Sequence, residues 1–317
     1  MTFRPRRTVI VGAGGPAGYY LARELVGRGW RVRVASRRRE ALEQAFAGVE
    51  VEVAEADALD PASLSAAVAG CDLVVDCVGL PAERMADHVR VAENLVAARE
   101  ADARLLHVSS YWSFFPHRGE VVDEAHPREG GHPWFRFRRE AEDVLLAAGA
   151  AVVHLPDFFG PRVHVSAVQM ALEEAVAGKA VSCMGDPDTE REAAYLPDAI
   201  RLVADLATRD EAYGTDCAIP GNGTLSPREL ARLAGEHLGR PVKVRCVPPW
   251  LLRLLALAVP ALRPAVPLAP HYSRPVRYDT TRLRTLLGDP RLTPLDDAVR
   301  RTLDALTAVA HSEEDLR

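Results

Sequence analysis

Residues 8–22, TVIVGAGGPAGYYLA, are the stretch that decides the fold. A β-branched run breaks into closely spaced glycines, which give way to a helical pattern that ends at Gly29. This order predicts a strand, a tight turn and a helix, and a second strand follows over 31–35. Two glycine registers fit the turn, G-x-G-x-x-A and G-x-x-G-x-x-G, and both begin at Gly12. An ordinary flexible turn is the simpler interpretation, but the position between a strand and a helix favours dinucleotide binding.

The turn and the end of the second strand supply the first candidate cofactor-binding residues. Those in the turn are Gly12, Gly14, Gly15, Pro16, Ala17 and Gly18. After Ser36 come Arg37 and Arg38, where an NAD-preferring site would carry an acidic residue for the ribose 2′-hydroxyl. Guanidinium groups suit a 2′-phosphate, so the sequence favours NADP(H) over NAD(H), with a solvated helix start as the alternative.

Strands and helices alternate along the following residues. Apolar runs predict strands over 49–53, 71–79 and 105–108 and a sixth strand ending at His154, and helical patterns cover 85–100 and 134–149. This alternation indicates an α/β protein with a doubly wound parallel sheet, the Rossmann architecture. We expect residues 1–165 to form the dinucleotide-binding core. Residues 166–317 should complete the sheet and form a smaller C-terminal substrate-capping region, interleaved with the core as one structural unit.

Composition narrows the class of protein. The 317 residues carry a formal net charge of −5, so nothing in the overall charge points to nucleic acid. The cysteines form no C-x-x-C pair and are expected to be reduced thiols of a cytoplasmic protein; they are Cys71, Cys77, Cys183, Cys217 and Cys246. The histidines lack the spacing of metal ligands, so no metal is expected.

One long apolar stretch, residues 250–262, bears on the question of a membrane. Arg253 and Pro260 interrupt it, and it falls short of the about 20 residues that a span requires. We therefore expect no stable membrane insertion. A core or lid helix is the favoured interpretation, and binding to a membrane interface is the alternative.

Several segments resemble the short-chain dehydrogenase/reductase superfamily in its extended and atypical branches, the NAD(P)-dependent epimerase/dehydratase-like proteins. Besides the glycine turn they are residues 155–161 (LPDFFGP), 194–200 (AYLPDAI) and 219–226 (IPGNGTLS), so the resemblance runs along nearly the whole chain. It implies a small-molecule substrate. It also implies that Asp57 and Ala58 contact the adenine and that Cys77, Val78 and Gly79 lie beside the ribose. The further cofactor-binding residues that it implies are Ser109, Arg138, Pro156 and Phe158.

The resemblance fails at the residues that carry the chemistry. That family moves a proton through a Tyr-x-x-x-Lys pair, in which both side chains face the cofactor one helical turn apart. The only lysines here are Lys179 and Lys243, and neither has a tyrosine four residues earlier. Alignment puts Trp134 at the tyrosine position and Arg138 at the lysine position. Arginine can bind ribose hydroxyls but stays protonated, so it cannot exchange a proton.

A proton donor must then come from another position. The catalytic Ser/Thr position of the family falls on Tyr111, with Ser110 adjacent, so we expect these two residues to polarise and protonate the substrate. Asp157 is a further candidate for polarising the substrate or the cofactor carboxamide. The alternative for Tyr111 is packing under the following loop. The loop histidines His117, His126 and His132 are further acid–base candidates, and His154 is expected to reach the cofactor or a core acceptor.

Together these features favour an NADP-dependent oxidoreductase of the atypical class, acting on a carbonyl, an alcohol or a conjugated C=C of a small molecule. Two alternatives stay open. One is a non-redox enzyme on the same scaffold, such as an isomerase, a dehydratase, a lyase or a cyclase. The other is a non-catalytic protein that senses NADP(H). A homodimer is compatible with the sequence.

Overall fold

A seven-stranded parallel sheet forms the centre of the molecule, of which the computed structural model describes residues 5, 7–164 and 166–314. From one edge to the other its strands are β11 (Asp216–Ala218), β7 (Ala151–Leu155), β5 (Arg104–Ser110), β4 (Leu73–Asp76), β1 (Arg7–Val11), β2 (Arg31–Ser36) and β3 (Glu52–Glu55). The strand order reverses between β1 and β4, which is where open α/β sheets bind ligands at the carboxyl ends of their strands. The predicted doubly wound Rossmann architecture is confirmed.

Helices cover both faces of the sheet and build the C-terminal part of the chain. They are α1 (Pro16–Gly27), α2 (Arg39–Ala45), α3 (Pro61–Val68), α4 (Asp87–Ala98), α5 (Pro133–Ala147), α6 (Ala167–Val176), α7 (Leu196–Leu206), α8 (Pro227–Leu238), α9 (Pro249–Ala258), α10 (Ala269–Tyr272), α11 (Thr281–Leu287) and α12 (Leu295–Glu314). Proline at the first position starts α1, α3, α5 and α8, because proline needs no N–H partner there. Ser226 caps α8 by accepting a hydrogen bond from the Glu229 N–H at 3.1 Å.

Three smaller sheets lie outside the central one. They are β12 (Gly223–Leu225), β10 (Arg191–Tyr195) and β8 (Asp157–Phe159) in that order, β13 (Val244–Val247) with β9 (Val181–Met184), and β14 (Arg277–Tyr278) with β6 (Val121–Val122). Strand β8 begins two residues after β7 ends, so it starts at the carboxyl edge of the central sheet. The pairing of β14 with β6 ties the C-terminal part of the chain to the loop that follows β5.

Apolar residues fill both sides of the sheet. On one side α1 and α7 pack together, with Leu21, Leu25, Val203 and Leu206 among the buried side chains. On the other side α3, α4 and α5 supply Leu64, Val91, Leu95 and Leu145. Residues 9–11 of β1 and 73–75 of β4 are uninterrupted apolar runs because both faces of these strands are covered.

The expectation that all cysteines are free thiols is wrong at one pair. Cys183 and Cys246 form a disulfide, whereas Cys71, Cys77 and Cys217 are free. The two residues lie directly opposite each other in the parallel register of β9 and β13, with their Cα atoms 4.3 Å apart. Sequence spacing gave no sign of the pair, because 63 positions separate its members and only the strand pairing brings them together.

Helix α9 occupies most of the apolar stretch near residue 250, and it is not a core helix. Its side chains Trp250, Leu254 and Leu257 are 62%, 56% and 78% exposed. Only Leu252 and Ala256 of this helix are buried. None of the helices in the described ranges combines the length and the apolar character needed to cross a membrane.

Candidate functional site

The glycine turn between β1 and α1 is held by two contacts that exclude a side chain. Gly12 has a φ of 84°, and a Cβ there would lie 2.6 Å from the carbonyl oxygen of Cys77. A Cβ on Gly18 would lie 2.7 Å from the Cα of Ala13. The turn therefore packs tightly against the end of β4 and against its own helix. The G-x-x-G-x-x-G register contains both positions that need glycine.

The middle of the same turn is open. A Cβ on Gly14 would come no closer than 3.9 Å to the nearest described atom outside the adjoining residues, and one on Gly15 no closer than 3.5 Å. Gly15 is the N-cap of α1, with Pro16 and Ala17 in the first turn, and this turn has neither a side-chain cap nor an acidic residue. The N–H groups of Ala17 and Gly18 and the positive end of the helix dipole are therefore available to an anion. Residues 14–18, which we call the cradle, therefore fit a pyrophosphate.

The end of β2 places two guanidinium groups near this cradle. Ser36 is the last residue of β2, and its Oγ accepts a hydrogen bond from the Arg38 N–H at 3.3 Å. Arg37 and Arg38 are exposed, and neither side chain forms an ion pair with another described residue. The next residue differs, since Arg39 pairs with Glu43 at 2.8 Å.

The residues expected near the adenine lie in the turn after β3. The Asp57 carboxylate accepts a hydrogen bond from the Leu59 N–H at 3.0 Å, and it is partly exposed. Asn94 of α4 donates its side-chain N–H to the carbonyl oxygen of Ala58 at 2.9 Å. The first contact fixes the turn internally, and the second holds it against α4.

The segment after β4 lies at the switch point of the sheet. Cys77 contacts Gly12 closely, and Val78 and Gly79 follow it with increasing exposure. The buried Asp76 carboxylate accepts from the Val78 N–H at 2.9 Å, and its other oxygen lies 2.8 Å from His107 Nδ1. His107 is thus a satisfied core residue, and its pairing with Asp76 fixes the direction in which this segment leaves the strand.

Arg138 points its guanidinium from α5 into this region. The guanidinium carbon lies 5.9 Å from the ring of Trp112, and the buried Nε has no hydrogen-bond partner among the described residues. Burial lowers the pKa of Arg138, and the neighbouring Glu142 and Asp76 act against this. A buried N–H donor without a partner fits a ribose hydroxyl, which would accept from it. Trp134 lies one turn earlier on the same helix.

Two other predicted side chains belong to a buried polar network. The Ser109 hydroxyl donates to Glu142, which also forms a buried ion pair with Arg128. His154 Nε2 lies 3.2 Å from the Asp216 carboxylate, and its Nδ1 lies 3.7 Å from Glu142. Of the two roles considered for His154, the structure therefore shows the core acceptor. Glu142 was missed from the sequence, although its position one turn after Arg138 places it on the same helix face.

A hydrogen-bonded chain starts at Tyr111, directly after β5. The Tyr111 hydroxyl donates to the Tyr272 hydroxyl at 2.6 Å, and Tyr272 donates to Asp157 Oδ1 at 3.0 Å. Tyr111 and Asp157 are only 2% and 8% exposed. Arg191 reaches them because β10 pairs with β8, and its guanidinium carbon lies 4.7 Å from the Tyr272 ring. The structure thus joins two predicted residues through Tyr272, which sequence reasoning missed.

Burial has the largest effect on the pKa values of the hydrogen-bonded side chains Tyr111 and Asp157. It raises the pKa of Tyr111 well above the usual value, with the neighbouring Asp157 adding to the rise. It also raises the pKa of Asp157, while the positive charge of Arg191 acts in the opposite direction on both groups. Desolvation disfavours each charged form, and a protonated carboxyl can then persist closer to neutral pH.

The remaining predicted residues surround Tyr111 in different ways. Ser110 uses its Oγ to accept from the Trp112 N–H at 3.4 Å, so it caps the short 3-10 helix Tyr111–Phe114. Pro156 is buried and Phe158 is partly buried, between β7 and the small sheet that contains β8. The Tyr278 ring lies 5.9 Å from the Tyr111 ring, and its buried hydroxyl has no partner among the described residues.

Two of the three loop histidines, His117 and His126, are buried, contrary to what is usual for loop positions, whereas His132 is partly exposed. His117 is 5% exposed, and burial lowers its pKa to about 2, with Arg191 contributing. It is therefore neutral near pH 7 and does not act as a general acid there. His126 Nε2 accepts from the Arg118 N–H at 3.3 Å, and His132 caps α5 by accepting from the Trp134 N–H at 3.4 Å.

The architecture agrees with that of several solved structures. A UDP-glucuronic acid 4-epimerase from Bacillus cereus in complex with NAD is 15% identical, with a TM-score of 0.78 over 96% of this chain and 99% of that one. An epimerase from Methanothermobacter thermautotrophicus is also 15% identical, with a TM-score of 0.81 over 98% and 94%. A double mutant of the dTDP-glucose 4,6-dehydratase DesIV from Streptomyces venezuelae, with NAD and DAU bound, is 20% identical, with a TM-score of 0.77 over 98% and 100%.

At such identities the likeness establishes the fold alone, which this chain shares with these epimerases and with the dehydratase. No curated protein matches the chain significantly. The sequence model of the NmrA-like family matches residues 5–269, which include the glycine turn, Tyr111 and Asp157 but end before Tyr272. The chain therefore belongs to the NmrA-like family.

Proposed function

We propose that this protein is an NADP(H)-dependent oxidoreductase that interconverts a carbonyl and an alcohol, or reduces a conjugated C=C, in a small molecule. The observation that carries the proposal is the chain from Tyr111 through Tyr272 to Asp157, which lies at the carboxyl edge of the sheet. The nicotinamide supplies the hydride when it is bound. The protein's own task is then to hold the nucleotide and to exchange one proton with the substrate oxygen.

The direction of the hydrogen bonds suits that proton exchange. Tyr111 donates to Tyr272, so the Tyr111 oxygen keeps its lone pairs for a substrate hydroxyl. A proton accepted there would push the Tyr111 proton to Tyr272 and the Tyr272 proton to Asp157. Delivery of a proton to a substrate oxygen follows the same route in reverse. The raised pKa of Asp157 supports its role as the proton reservoir, because a general acid works best when its pKa approaches the working pH.

Arg191 takes over part of the electrostatic task that the family's lysine performs. Its positive charge lowers the pKa of Tyr111 against the larger effect of burial. Its guanidinium is fixed by hydrogen bonds to the carbonyl oxygens of His271 and Arg274 at 2.7 and 2.9 Å. A fixed cation beside a phenol stabilises the charge that develops when the phenol gives up its proton.

The test of this mechanism is a turnover assay with a matched pair of variants. NADPH oxidation is followed by absorbance over a panel of aldehydes, ketones and enones. We expect Tyr111→Phe to lower kcat by about 10²–10⁴-fold, the usual contribution of a positioned general acid, and to leave NADPH affinity unchanged. Tyr213→Phe also removes a buried tyrosine hydroxyl, one bonded to the carbonyl oxygen of Ala207, and serves as the control with unaltered kcat. An unchanged kcat in Tyr111→Phe would remove Tyr111 as the acid.

The preference for NADP(H) is proposed on the two exposed guanidinium groups after β2. Arg37 and Arg38 lie where a 2′-phosphate would extend from an adenosine bound at the edge of β2. We expect the double variant Arg37→Ala/Arg38→Ala to weaken NADPH binding about tenfold or more, since a hydrogen bond to a charged group contributes about 1.5–3 kcal/mol. NADH binding should change much less. Arg39→Ala is the control, because Arg39 already pairs with Glu43. Equal losses for both nucleotides would contradict the preference, and fluorescence titration measures them.

A second candidate function is a protein that binds NADP(H) and reports its presence without turning over a substrate. The observation in its favour is that Tyr111 is only 2% exposed, which restricts access to its hydroxyl. NADPH binding without oxidation over the whole panel, and with Tyr111→Phe behaving as wild type, supports this candidate. Absence of NADPH binding removes both candidates.

A further inference from the structure

Helix α9 and the 3-10 helix Pro260–Ala265 after it present an unusual exposed surface. We call the side chains of Trp250, Leu254, Leu257 and Val259 the α9 face. Their exposed fractions are 62%, 56%, 78% and 45%. The first three are spaced four and three residues apart, so they lie on one side of the helix. Proteins rarely leave such a contiguous set of large apolar side chains uncovered unless it binds something.

The chain segment that carries the α9 face contains basic residues but no acidic ones. Residues 237–278 contain no aspartate or glutamate, although the whole chain has 44 acidic and 39 basic residues. The basic residues of this segment are Arg240, Lys243, Arg245, Arg253, Arg263, Arg274 and Arg277. Arg253 and Arg263 are exposed, and neither forms an ion pair with another described residue. They line a groove of about 600 Å³ together with Leu257, so cationic and apolar groups share one surface.

We propose that the α9 face docks on the surface of a lipid bilayer that contains anionic lipids. Trp250, Leu254 and Leu257 would enter the boundary between headgroups and acyl chains, where tryptophan is favoured. Arg253 and Arg263 would contact lipid phosphates, because these two guanidinium groups have no carboxylate partner among the described residues. The helix has 10 residues, so it would lie in the plane of the interface without crossing the bilayer.

A second copy of the chain is a poorer occupant of this surface. In a twofold symmetric dimer the same patch meets itself, so Arg253 and Arg263 of one protomer would approach those of its partner. No carboxylate in residues 237–278 could compensate for this repulsion. Lipid phosphates supply the missing negative charge.

Co-sedimentation with vesicles tests the proposal on the full chain. We expect binding to phosphatidylcholine vesicles that contain about 30% phosphatidylglycerol, and little binding to phosphatidylcholine alone. Leu254→Glu/Leu257→Glu should weaken binding by about tenfold or more, since each change removes a leucine from the buried contact and adds a negative charge. The control Met170→Glu/Val309→Glu changes two apolar side chains of similar exposure, 57% and 58%, on other helices and should bind as wild type.

Two further measurements separate the apolar and the basic contributions. Vesicles should shift the tryptophan emission to the blue, and Trp250→Phe should abolish this shift. Arg253→Ala/Arg263→Ala should lose the preference for anionic vesicles and the sensitivity to salt. Three results would overturn the proposal: no binding to anionic vesicles, equal binding by Leu254→Glu/Leu257→Glu, or a lipid-free dimer that this variant converts to a monomer without any binding of vesicles by the wild type.

Discussion

The glycine turn and the Tyr111 centre, by which we mean Tyr111, Tyr272 and Asp157, are built in opposite ways at the ends of β1 and β5, between which β4 lies. The turn consists of backbone from residues 12–18, and its geometry depends on missing side chains at Gly12 and Gly18. The Tyr111 centre consists of side chains, and its hydrogen bonds span 161 residues to Tyr272 and 115 more from Tyr272 back to Asp157. The backbone-built site tolerates almost no change at Gly12 and Gly18, but it leaves a local pattern in the sequence. A site made of side chains can be rebuilt from other residues and leaves none.

The largest effect should come from filling the space at Gly12. Gly12→Ala forces a side chain onto a positive φ and to within 2.6 Å of the Cys77 carbonyl oxygen. We expect the free energy of unfolding to fall by about 3 kcal/mol and NADPH binding to be lost with it, as strain and the clash add. Gly27→Ala at the end of α1 is the control, because a Cβ there meets nothing within 4 Å. Stability is measured by urea unfolding. Equal free energies of unfolding for the two variants would contradict the view that the turn depends on a missing side chain at Gly12.

An intermediate effect on the free energy of unfolding should appear at acid pH, from two buried histidines. Burial lowers the pKa of His117 to about 2 and that of His88 to about 3. Each is neutral in the folded protein but takes up a proton in the unfolded chain below about pH 6.5. Its contribution to the free energy of unfolding is therefore complete above that pH and is lost as the pH falls. From pH 7 to pH 5 we expect a loss of about 2 kcal/mol for each.

The variant His117→Phe isolates one of these two contributions. Its unfolding free energy, measured in urea at both pH values, should fall by about 2 kcal/mol less than that of the wild type. His164→Gln, at an exposed position, should retain the wild-type difference. If His117→Phe lost as much stability between pH 7 and pH 5 as the wild type, His117 would not contribute to the pH dependence.

The smallest effect should come from the unpartnered hydroxyl beside Tyr111. Tyr278→Phe removes a buried group without a hydrogen bond, so it should raise the free energy of unfolding by about 1 kcal/mol. Tyr213→Phe removes a hydroxyl that donates to the Ala207 carbonyl oxygen at 2.9 Å, and it should lower stability by about the same amount. Thermal unfolding of both variants gives the comparison. A loss of stability in Tyr278→Phe would show that its hydroxyl has a partner.

The fold could be predicted from the sequence because its signals are local. The glycine turn, the buried runs of β1 and β4 and the proline starts of helices each occupy a few consecutive residues, and the predicted sheet is confirmed. Boundaries were less accurate: β3 runs over Glu52–Glu55 and not 49–53, since pairing with β2 decides which residues join the ladder. The disulfide between Cys183 and Cys246 depends on the pairing of β9 with β13, and no local sequence pattern predicts that pairing.

The candidate site divides in the same way. Apart from Arg138 on α5, the residues proposed to hold the nucleotide lie at or near strand ends, so strand prediction locates them. Tyr111 and Asp157 were named for the same reason, yet nothing in the sequence connects either of them to Tyr272 or Arg191. The hydrogen bond from Ser109 to Glu142 and the burial of His117 could not be predicted from the sequence either, because both depend on which elements pack together.

The late position of Tyr272 in the chain has a consequence for synthesis. Translation delivers every strand of the seven-stranded sheet by residue 218 and every residue proposed to hold the nucleotide by residue 158. Tyr272 leaves the ribosome more than fifty residues after the last strand of that sheet. A nascent chain therefore possesses its proposed nucleotide cradle well before it can complete the path for a proton.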